Sequence, residues 1–150
     1  MKIIKLKGSD NIEKIVAIFD QYMMFYKLPS STEKYKKFLS DRLENQDAII
    51  FLAVDEHEKP IGFVLNYPSY STLSLGKILV LNDLFVLLEE RKKGIAQALI
   101  NAVFEFAKQE DIIRIDLCTE KSNENAQKLY EKLGFKKAFQ YDYYSYDLKK

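Results

Sequence analysis

The chain has 150 residues, of which 47% are hydrophobic and 30% charged, and its formal net charge is +1. A chain of this size fits one domain spanning residues 1–150, and a charge so near zero offers no global attraction for nucleic acid or an acidic membrane. One cysteine and one histidine exclude an intrachain disulfide and argue against a bound metal. No apolar run is long enough to span a membrane and no signal peptide is recognisable, so we expect a cytoplasmic protein.

Hydrophobic periodicity predicts the secondary structure in chain order. It indicates strands over residues 1–7, 48–54, 60–66, 77–87, 112–117, 135–139 and 141–148, and helices over residues 12–28, 32–43, 93–109 and 123–133. Residues 67–74 are expected to be a polar, aromatic connection. This order predicts an α/β fold, a twisted mixed sheet of about seven strands flanked on both faces by about four helices.

The segment from Leu84 to Gln97 carries the clearest chemical signal. The apolar run Leu84-Phe85-Val86 predicts a strand, and after a charged turn a helix opens on Arg91, Lys92, Lys93, Gly94, Ile95, Ala96 and Gln97. The first N–H groups of a helix have no intrahelical partner, and the helix dipole favours negative charge there. Because Gly94 leaves room beside the backbone and the three cations add positive charge, the segment predicts a pyrophosphate site. The alternative is an ordinary basic helix start.

Two motifs connect this segment with a known family. The pattern Arg91-x-x-Gly94-x-Ala96 resembles the acetyl-CoA motif, Gln/Arg-x-x-Gly-x-Gly/Ala, of the GNAT family of N-acetyltransferases. Downstream, Asn123-x-x-Ala126-x-x-Leu129-Tyr130-x-x-x-Gly134-Phe135 is similar to a helix of the same family. The resemblance extends from about residue 49 to residue 148 and implies the GNAT fold.

The resemblance also implies a reaction, in which a primary amine attacks the thioester of acetyl-CoA directly and the protein supplies proximity and orientation. The backbone from Lys92 to Gln97 would hold the pyrophosphate of acetyl-CoA, and Leu84, Phe85 and Val86 would pair with its pantetheine arm. The alternative for that strand is plain core packing. Asn123 and Ala126 would lie near the thiol end, and Asn123 could instead cap its helix.

Two residues are candidates for the proton transfers. Tyr130 matches the tyrosine of the family, whose phenol could protonate the leaving thiolate; the alternative is a packing tyrosine. Asp83 stands inside an apolar strand, which is unusual for a carboxylate, and it could accept a proton from the amine or attract a cationic substrate. A salt bridge or a loop hydrogen bond is the alternative for Asp83.

The segment before the cofactor strand narrows the acceptor to a small amine, a polyamine or an amino acid. It resembles the branch of yeast histone and D-amino-acid acetyltransferases and that of diamine acetyltransferases, although Asn82 replaces a glutamate of the diamine pattern. Asn82 and Asp83 are therefore candidate substrate contacts, together with Tyr26, Tyr67 and Tyr70. These three tyrosines and Tyr22 could hold an alkyl ammonium by cation–π contacts. For Tyr22 and Tyr26, core packing of the first helix is the favoured interpretation.

Other interpretations are a protein lysine acetyltransferase and a non-catalytic module that binds acyl-CoA. A cysteine enzyme using Cys118 fits poorly, and buried packing is the expected role of that residue. The alternation of aromatic and polar residues over residues 141–146 predicts either part of the acceptor pocket or an interface. We expect a homodimer.

Overall fold

The structure is a computed structural model that describes residues 1–149. The described residues form two compact units, Met1–Cys118 and a second that begins at Thr119. The first unit contains β1 (Lys2–Lys5), α1 (Ile12–Phe25), α2 (Thr32–Glu44), β2 (Ile49–Val54), β3 (Pro60–Ser71), β4 (Gly76–Val86), a 3₁₀ turn (Leu88–Glu90), α3 (Ile95–Gln109) and β5 (Arg114–Leu117). The second contains α4 (Glu124–Lys132).

The five strands of the first unit form one mixed sheet in the order β1-β2-β3-β4-β5. The first four strands pair antiparallel, and β5 pairs parallel with β4 after the crossover through α3. At the β2–β3 turn the Asp55 carboxylate accepts hydrogen bonds from the N–H groups of His57 and Lys59, at 2.8 and 2.9 Å. β2 and the first half of β3 are nearly continuous apolar runs, as expected for strands that helices cover on both sides.

Neighbouring residues of β3 show which helix covers which face. A Cβ added at Gly62 would lie 3.2 Å from a methyl of Ile95 and 3.3 Å from one of Leu99, so α3 packs closely on this face. The next side chain, Phe63, contacts Phe19 and Tyr22 of α1 on the opposite face. The predicted α/β fold with helices on both faces is therefore confirmed.

β4 contains one extra residue relative to β3. Leu65 pairs with Asp83 and Asn66 pairs with Leu81, so Asn82 is left as a β-bulge. The pairing of β4 with β5 ends at the same place, at Leu81 and Leu117. Beyond this point β4 carries no other strand of the described chain on the side away from β3. We call the stretch from Asn82 to Val86, on this side, the open edge of β4.

In the second unit, α4 is capped at both ends by its own residues. The Asn123 side chain accepts a hydrogen bond from the Ala126 N–H at 3.2 Å. At the other end the N–H groups of Gly134 and Phe135 donate to the carbonyls of Glu131 and Tyr130, at 3.1 and 3.0 Å, and Gly134 has a φ of 101°. This is a Schellman motif, and its usual apolar contact is made by the rings of Tyr130 and Phe135, 5.8 Å apart.

The expected number of strands is wrong, because the described residues contain five rather than about seven. Residues 135–139 and 141–148 form no strand among residues 1–149, although their aromatic and polar residues alternate. Such a pattern favours an extended chain, but a strand also needs a hydrogen-bonded neighbour. The expected connection is partly wrong too, since residues 67–71 continue β3 against the first half of β4.

Candidate functional site

The start of α3 presents backbone N–H groups in an unobstructed setting. The first helical hydrogen bond joins the Ala98 N–H to the Gly94 carbonyl at 3.0 Å, so the N–H groups of Ile95, Ala96 and Gln97 precede the bonded part of the helix. Gly94 has a φ of 80°, a conformation that residues with a side chain rarely adopt. A Cβ there would meet nothing within 4 Å, so the space in front of Gly94 is open for a ligand.

The three cations before α3 differ in what they contact. The Arg91 Nε donates to the Val86 carbonyl at 3.0 Å, and its guanidinium lies 5.2 Å from the ring of Phe25 and 5.9 Å from that of Phe85. Lys93 forms an ion pair with Glu90 at 2.9 Å. Arg91 therefore joins the loop before α3 to the end of β4 and to α1, in addition to carrying charge.

The open edge of β4 turns backbone groups away from the sheet. The Leu87 N–H donates to the Ile61 carbonyl at 3.0 Å, which identifies this pair as hydrogen-bonded. Since hydrogen-bonded pairs alternate with others in an antiparallel ladder, Leu84 and Val86 direct their N–H and C=O groups away from β3, where the Val86 carbonyl already accepts the hydrogen bond from Arg91. An extended ligand with amide groups can pair with such an edge as an additional strand would.

Asp83 lies at the beginning of the open edge, on the face covered by α1. One of its oxygens accepts a hydrogen bond from the Tyr22 hydroxyl at 2.6 Å, and the other accepts one from the Asn82 side-chain amide at 2.9 Å. Burial, and after it the hydrogen bond to Asp83, raises the pKa of Tyr22 far above its ordinary value. The phenol of Tyr22 therefore stays a proton donor to the carboxylate at neutral pH.

Aromatic rings pack around the Tyr22 ring on the face covered by α1. The Tyr22 ring contacts those of Phe63, Phe85 and Tyr26, with centroids 5.4, 5.5 and 5.1 Å apart, and Tyr26 is exposed. Tyr67 faces the same side, and burial, followed by the negative charge of Asp83, raises its pKa.

Tyr70 and Cys118 lie in surroundings that differ from those expected. Alternation along β3 turns Tyr70 to the face opposite Tyr67, where 76% of it is exposed, so Tyr70 is not part of the group around Asp83. Cys118 is exposed, so the expectation that it is buried is wrong.

Asn123, Ala126 and Tyr130 belong to the second unit. Asn123 caps its helix, as the alternative for this residue predicted, because its side chain accepts a hydrogen bond from the Ala126 N–H. Tyr130 packs against Phe135, as the alternative for that residue predicted. The packing contact of Tyr130 is made by its aromatic ring.

Sequence reasoning missed the role of Tyr22. The residue lies three positions after Phe19 and four before Tyr26, which is the spacing of a buried helical stripe, and core packing was the preferred interpretation. The ring does pack in the core, but its hydroxyl reaches Asp83 from a position 61 residues earlier in the chain. No local pattern encodes that contact.

Two kinds of feature are absent from residues 1–149. No helix in this range is long and apolar enough to cross a membrane. In the same range, no group of three or more His, Cys, Asp or Glu side chains is arranged to hold a metal ion.

Comparison with known proteins gives a consistent result. The model of the acetyltransferase (GNAT) family matches residues 15–135. An uncharacterized N-acetyltransferase of Bacillus subtilis, YhfO, is 38% identical over 135 residues, which cover 90% of this chain and 89% of that protein. The thialysine N-epsilon-acetyltransferase of Caenorhabditis elegans is 29% identical over 84% of this chain and 78% of its own length. The crystal structure of a probable acetyltransferase superposes with a TM-score of 0.92 at 32% identity, covering 100% of this chain and 99% of the other.

The α/β sheet, the start of α3 and these comparisons lead to the same conclusion. The family predicted from Arg91-x-x-Gly94-x-Ala96 is confirmed by a match that extends well beyond the motif. Members of this family use acetyl-CoA as their acyl donor, and the related proteins are N-acetyltransferases. The chain belongs to the GNAT family of acetyltransferases and is an acyltransferase enzyme.

Proposed function

We propose that the protein transfers the acetyl group of acetyl-CoA to a primary amine of a small cationic acceptor. The observation that carries this proposal is the position of the Asp83 carboxylate at the beginning of the open edge of β4. The start of α3 follows the other end of that edge. A donor whose pyrophosphate meets the N–H groups near Gly94 would run its pantetheine arm past Val86 and Leu84 and bring its thioester towards Asp83.

The two ends of this path have different proposed roles. The donor end consists of the backbone from Lys92 to Gln97 together with Leu84, Phe85 and Val86, and would hold acetyl-CoA. The acceptor end consists of Asn82, Asp83 and Tyr22, with Tyr26 and Tyr67 beside them, and would hold the amine. An ammonium is attracted by a carboxylate and by the faces of aromatic rings, and the acceptor end offers both.

The proposed chemistry is a direct transfer. The amine nitrogen forms a bond to the acetyl carbon, the bond from that carbon to sulfur breaks, the amine loses a proton and the thiolate gains one. An alkyl ammonium has a pKa near 10, so neutral amine at pH 7 costs about 4 kcal/mol. A carboxylate attracts the cationic acceptor and can take a proton, directly or through water, from the nitrogen that attack on the thioester has made acidic. We assign that role to Asp83 and protonation of the thiolate to Tyr130, with Asn123 and Ala126 beside the donor.

The kind of amine that the protein acetylates is also a proposal. The C. elegans relative is named for acetylation of thialysine, a small amine, and this supports an acceptor of similar size. Here Asn82 donates to Asp83 and adds no charge of its own, so the acceptor end has one carboxylate. We therefore propose a compact cationic amine rather than a long polycation.

Two features of the chain support further proposals about its organisation. The family match crosses from the first unit into the second, which supports a single domain over residues 1–150. Four tyrosines are exposed over residues 141–146, and tyrosine is enriched at interfaces, which supports a homodimer. The mass of the protein in solution, measured by light scattering, would test the second proposal, and a monomer at all concentrations would contradict it.

The direct test measures release of free CoA. The purified chain is incubated with acetyl-CoA and, separately, with short diamines, polyamines, free amino acids and lysine-containing peptides. We expect the fastest release with a compact cationic amine. Release with peptides alone would replace this proposal by a protein acetyltransferase, binding of acetyl-CoA without turnover of any amine would indicate a sensor, and failure to bind acetyl-CoA would contradict the whole assignment.

A further inference from the structure

Both oxygens of Asp83 are engaged by donors that belong to the protein itself. The Tyr22 hydroxyl donates to one oxygen at 2.6 Å, and the Asn82 amide donates to the other at 2.9 Å. Each carboxylate oxygen can accept more than one hydrogen bond, so the carboxylate is held in place while part of its accepting capacity stays available. We propose that Tyr22 is the positioning residue of the acceptor end, and that it fixes the direction in which Asp83 meets the amine. This inference rests on the proposed function.

The ring of Tyr22 is itself held firmly. Four other rings contact it, those of Phe19, Tyr26, Phe63 and Phe85, with centroids between 5.1 and 5.7 Å away. These contacts come from α1, β3 and β4, so the hydroxyl has a defined position relative to the sheet. Asp83 pairs with Leu65 on one side, but it follows an unpaired bulge residue and lies beyond the end of the pairing with β5, so a fixed donor adds a constraint on its rotamer.

The hydrogen-bonding direction is defined as well. Burial and the neighbouring carboxylate keep the proton on Tyr22, so the phenol donates and Asp83 accepts. Tyr22 therefore acts through Asp83 and not as the group that takes a proton from the amine. Asn82 donates from the adjacent position in the chain and depends on the bulge, whereas Tyr22 donates across the space between α1 and β4.

Tyr35 provides a matched control in the same aromatic cluster. Its ring contacts Phe19 with centroids 5.6 Å apart, and its hydroxyl also donates a hydrogen bond of 2.6 Å, to the Pro29 carbonyl. Tyr35 is more buried than Tyr22, and Tyr35→Phe removes a hydrogen bond of the same length. The lost bond does not involve Asp83. The two substitutions thus separate loss of a hydrogen bond in general from loss of this particular contact.

The first experiment is a double-mutant cycle on the full chain with the amine that turns over fastest. We expect Tyr22→Phe to lower kcat/KM for the amine by about tenfold, and to do so by less than about twofold when Asp83→Asn is already present. The KM for acetyl-CoA should change by less than about twofold in each variant. Tyr35→Phe should have the same small effect with and without Asp83→Asn, because it does not act through that carboxylate.

Additive effects of Tyr22→Phe and Asp83→Asn, or an equal loss with Tyr35→Phe, would overturn the inference and leave the proposed function standing. A chain that acetylates none of the amines would contradict the proposed function, and a second measurement then still decides the inference. A hydroxyl proton in a short bond to a carboxylate exchanges slowly and is shifted downfield in a proton NMR spectrum. We expect such a resonance in the unaltered chain, its disappearance in Tyr22→Phe and its displacement in Asp83→Asn; a spectrum in which neither substitution changes a hydroxyl resonance would overturn it.

Discussion

The proposed donor end and the proposed acceptor end of β4 are built from different kinds of group. The donor end consists of backbone N–H and C=O groups from a nearly continuous stretch of chain, Leu84 to Gln97. The acceptor end consists of side chains, and its principal hydrogen bond joins α1 to β4 across 61 residues of sequence. Backbone groups are the same in every residue, so the donor end suits a constant ligand, whereas the acceptor end can change its ligand by substitution of side chains.

The largest effect should come from Asp83→Asn, which removes the charge of the acceptor end with almost no change of shape. We expect kcat/KM for a cationic amine to fall by about a hundredfold or more, while the Kd for acetyl-CoA changes by less than about twofold. Steady-state kinetics and calorimetry measure the two quantities. Asp116→Asn, in an exposed ion pair with Arg114 on β5, is the control. A loss confined to acetyl-CoA binding would show that the two ends are not separate.

Tyr130→Phe tests the assignment of the leaving-group acid. The ring contact with Phe135 should persist because phenylalanine keeps the ring, so α4 should remain folded. We expect kcat to fall by at least about tenfold, with little change in the KM for acetyl-CoA. Tyr143→Phe, at an exposed tyrosine of the same unit, is the control in the same assay. An unaltered kcat would remove Tyr130 from the mechanism.

Gly94→Ala tests the donor end alone. The added methyl would lie in the space assigned to the donor and would impose a left-handed backbone on alanine, so we expect the Kd for acetyl-CoA to rise about fivefold. The KM for the amine should stay constant. Gly8→Ala is a matched control, because Gly8 also has a positive φ, 56°, and open space around its Cβ. Equal weakening of acetyl-CoA binding by both substitutions would mean that backbone strain, rather than the site, explains the loss.

The smallest effect concerns stability at alkaline pH. Because the pKa of Tyr22 is raised in the folded chain, its contribution to stability is complete below the ordinary tyrosine pKa of about 10 and is lost as the pH rises above it. We expect the free energy of unfolding in urea to fall more steeply above pH 10 in the unaltered chain than in Tyr22→Phe. The two slopes should differ by less than about 1.4 kcal/mol per pH unit, which is the value for one full proton, since Tyr22 is only half buried. Identical slopes would show that the acceptor end does not hold this proton.

The elements that form the donor end were predictable because they depend on local patterns. The five strands up to Leu117 and all four helices follow hydrophobic periodicity, and the start of α3 follows a glycine in a basic turn. Two strands were expected after Gly134, and their absence was not predictable, since alternation gives no information about a pairing partner. The contact of Tyr22 with Asp83 and the bulge at Asn82 depend on how distant segments align, so no window of sequence contains them.

The bulge at Asn82 has a consequence for how this strand can evolve. Leu81 shares a face of the sheet with Asn66, and Asp83 shares the other face with Leu65, because one unpaired residue separates them. Without Asn82, Leu81 and Asp83 would be direct neighbours on opposite faces and could keep their partners Asn66 and Leu65, but the amide that donates to the Asp83 carboxylate would be lost. The pairing of β4 with β3 therefore does not require the extra residue, whereas the second hydrogen bond to the Asp83 carboxylate does, and substitutions at position 82 can change that carboxylate's surroundings without altering the ladder.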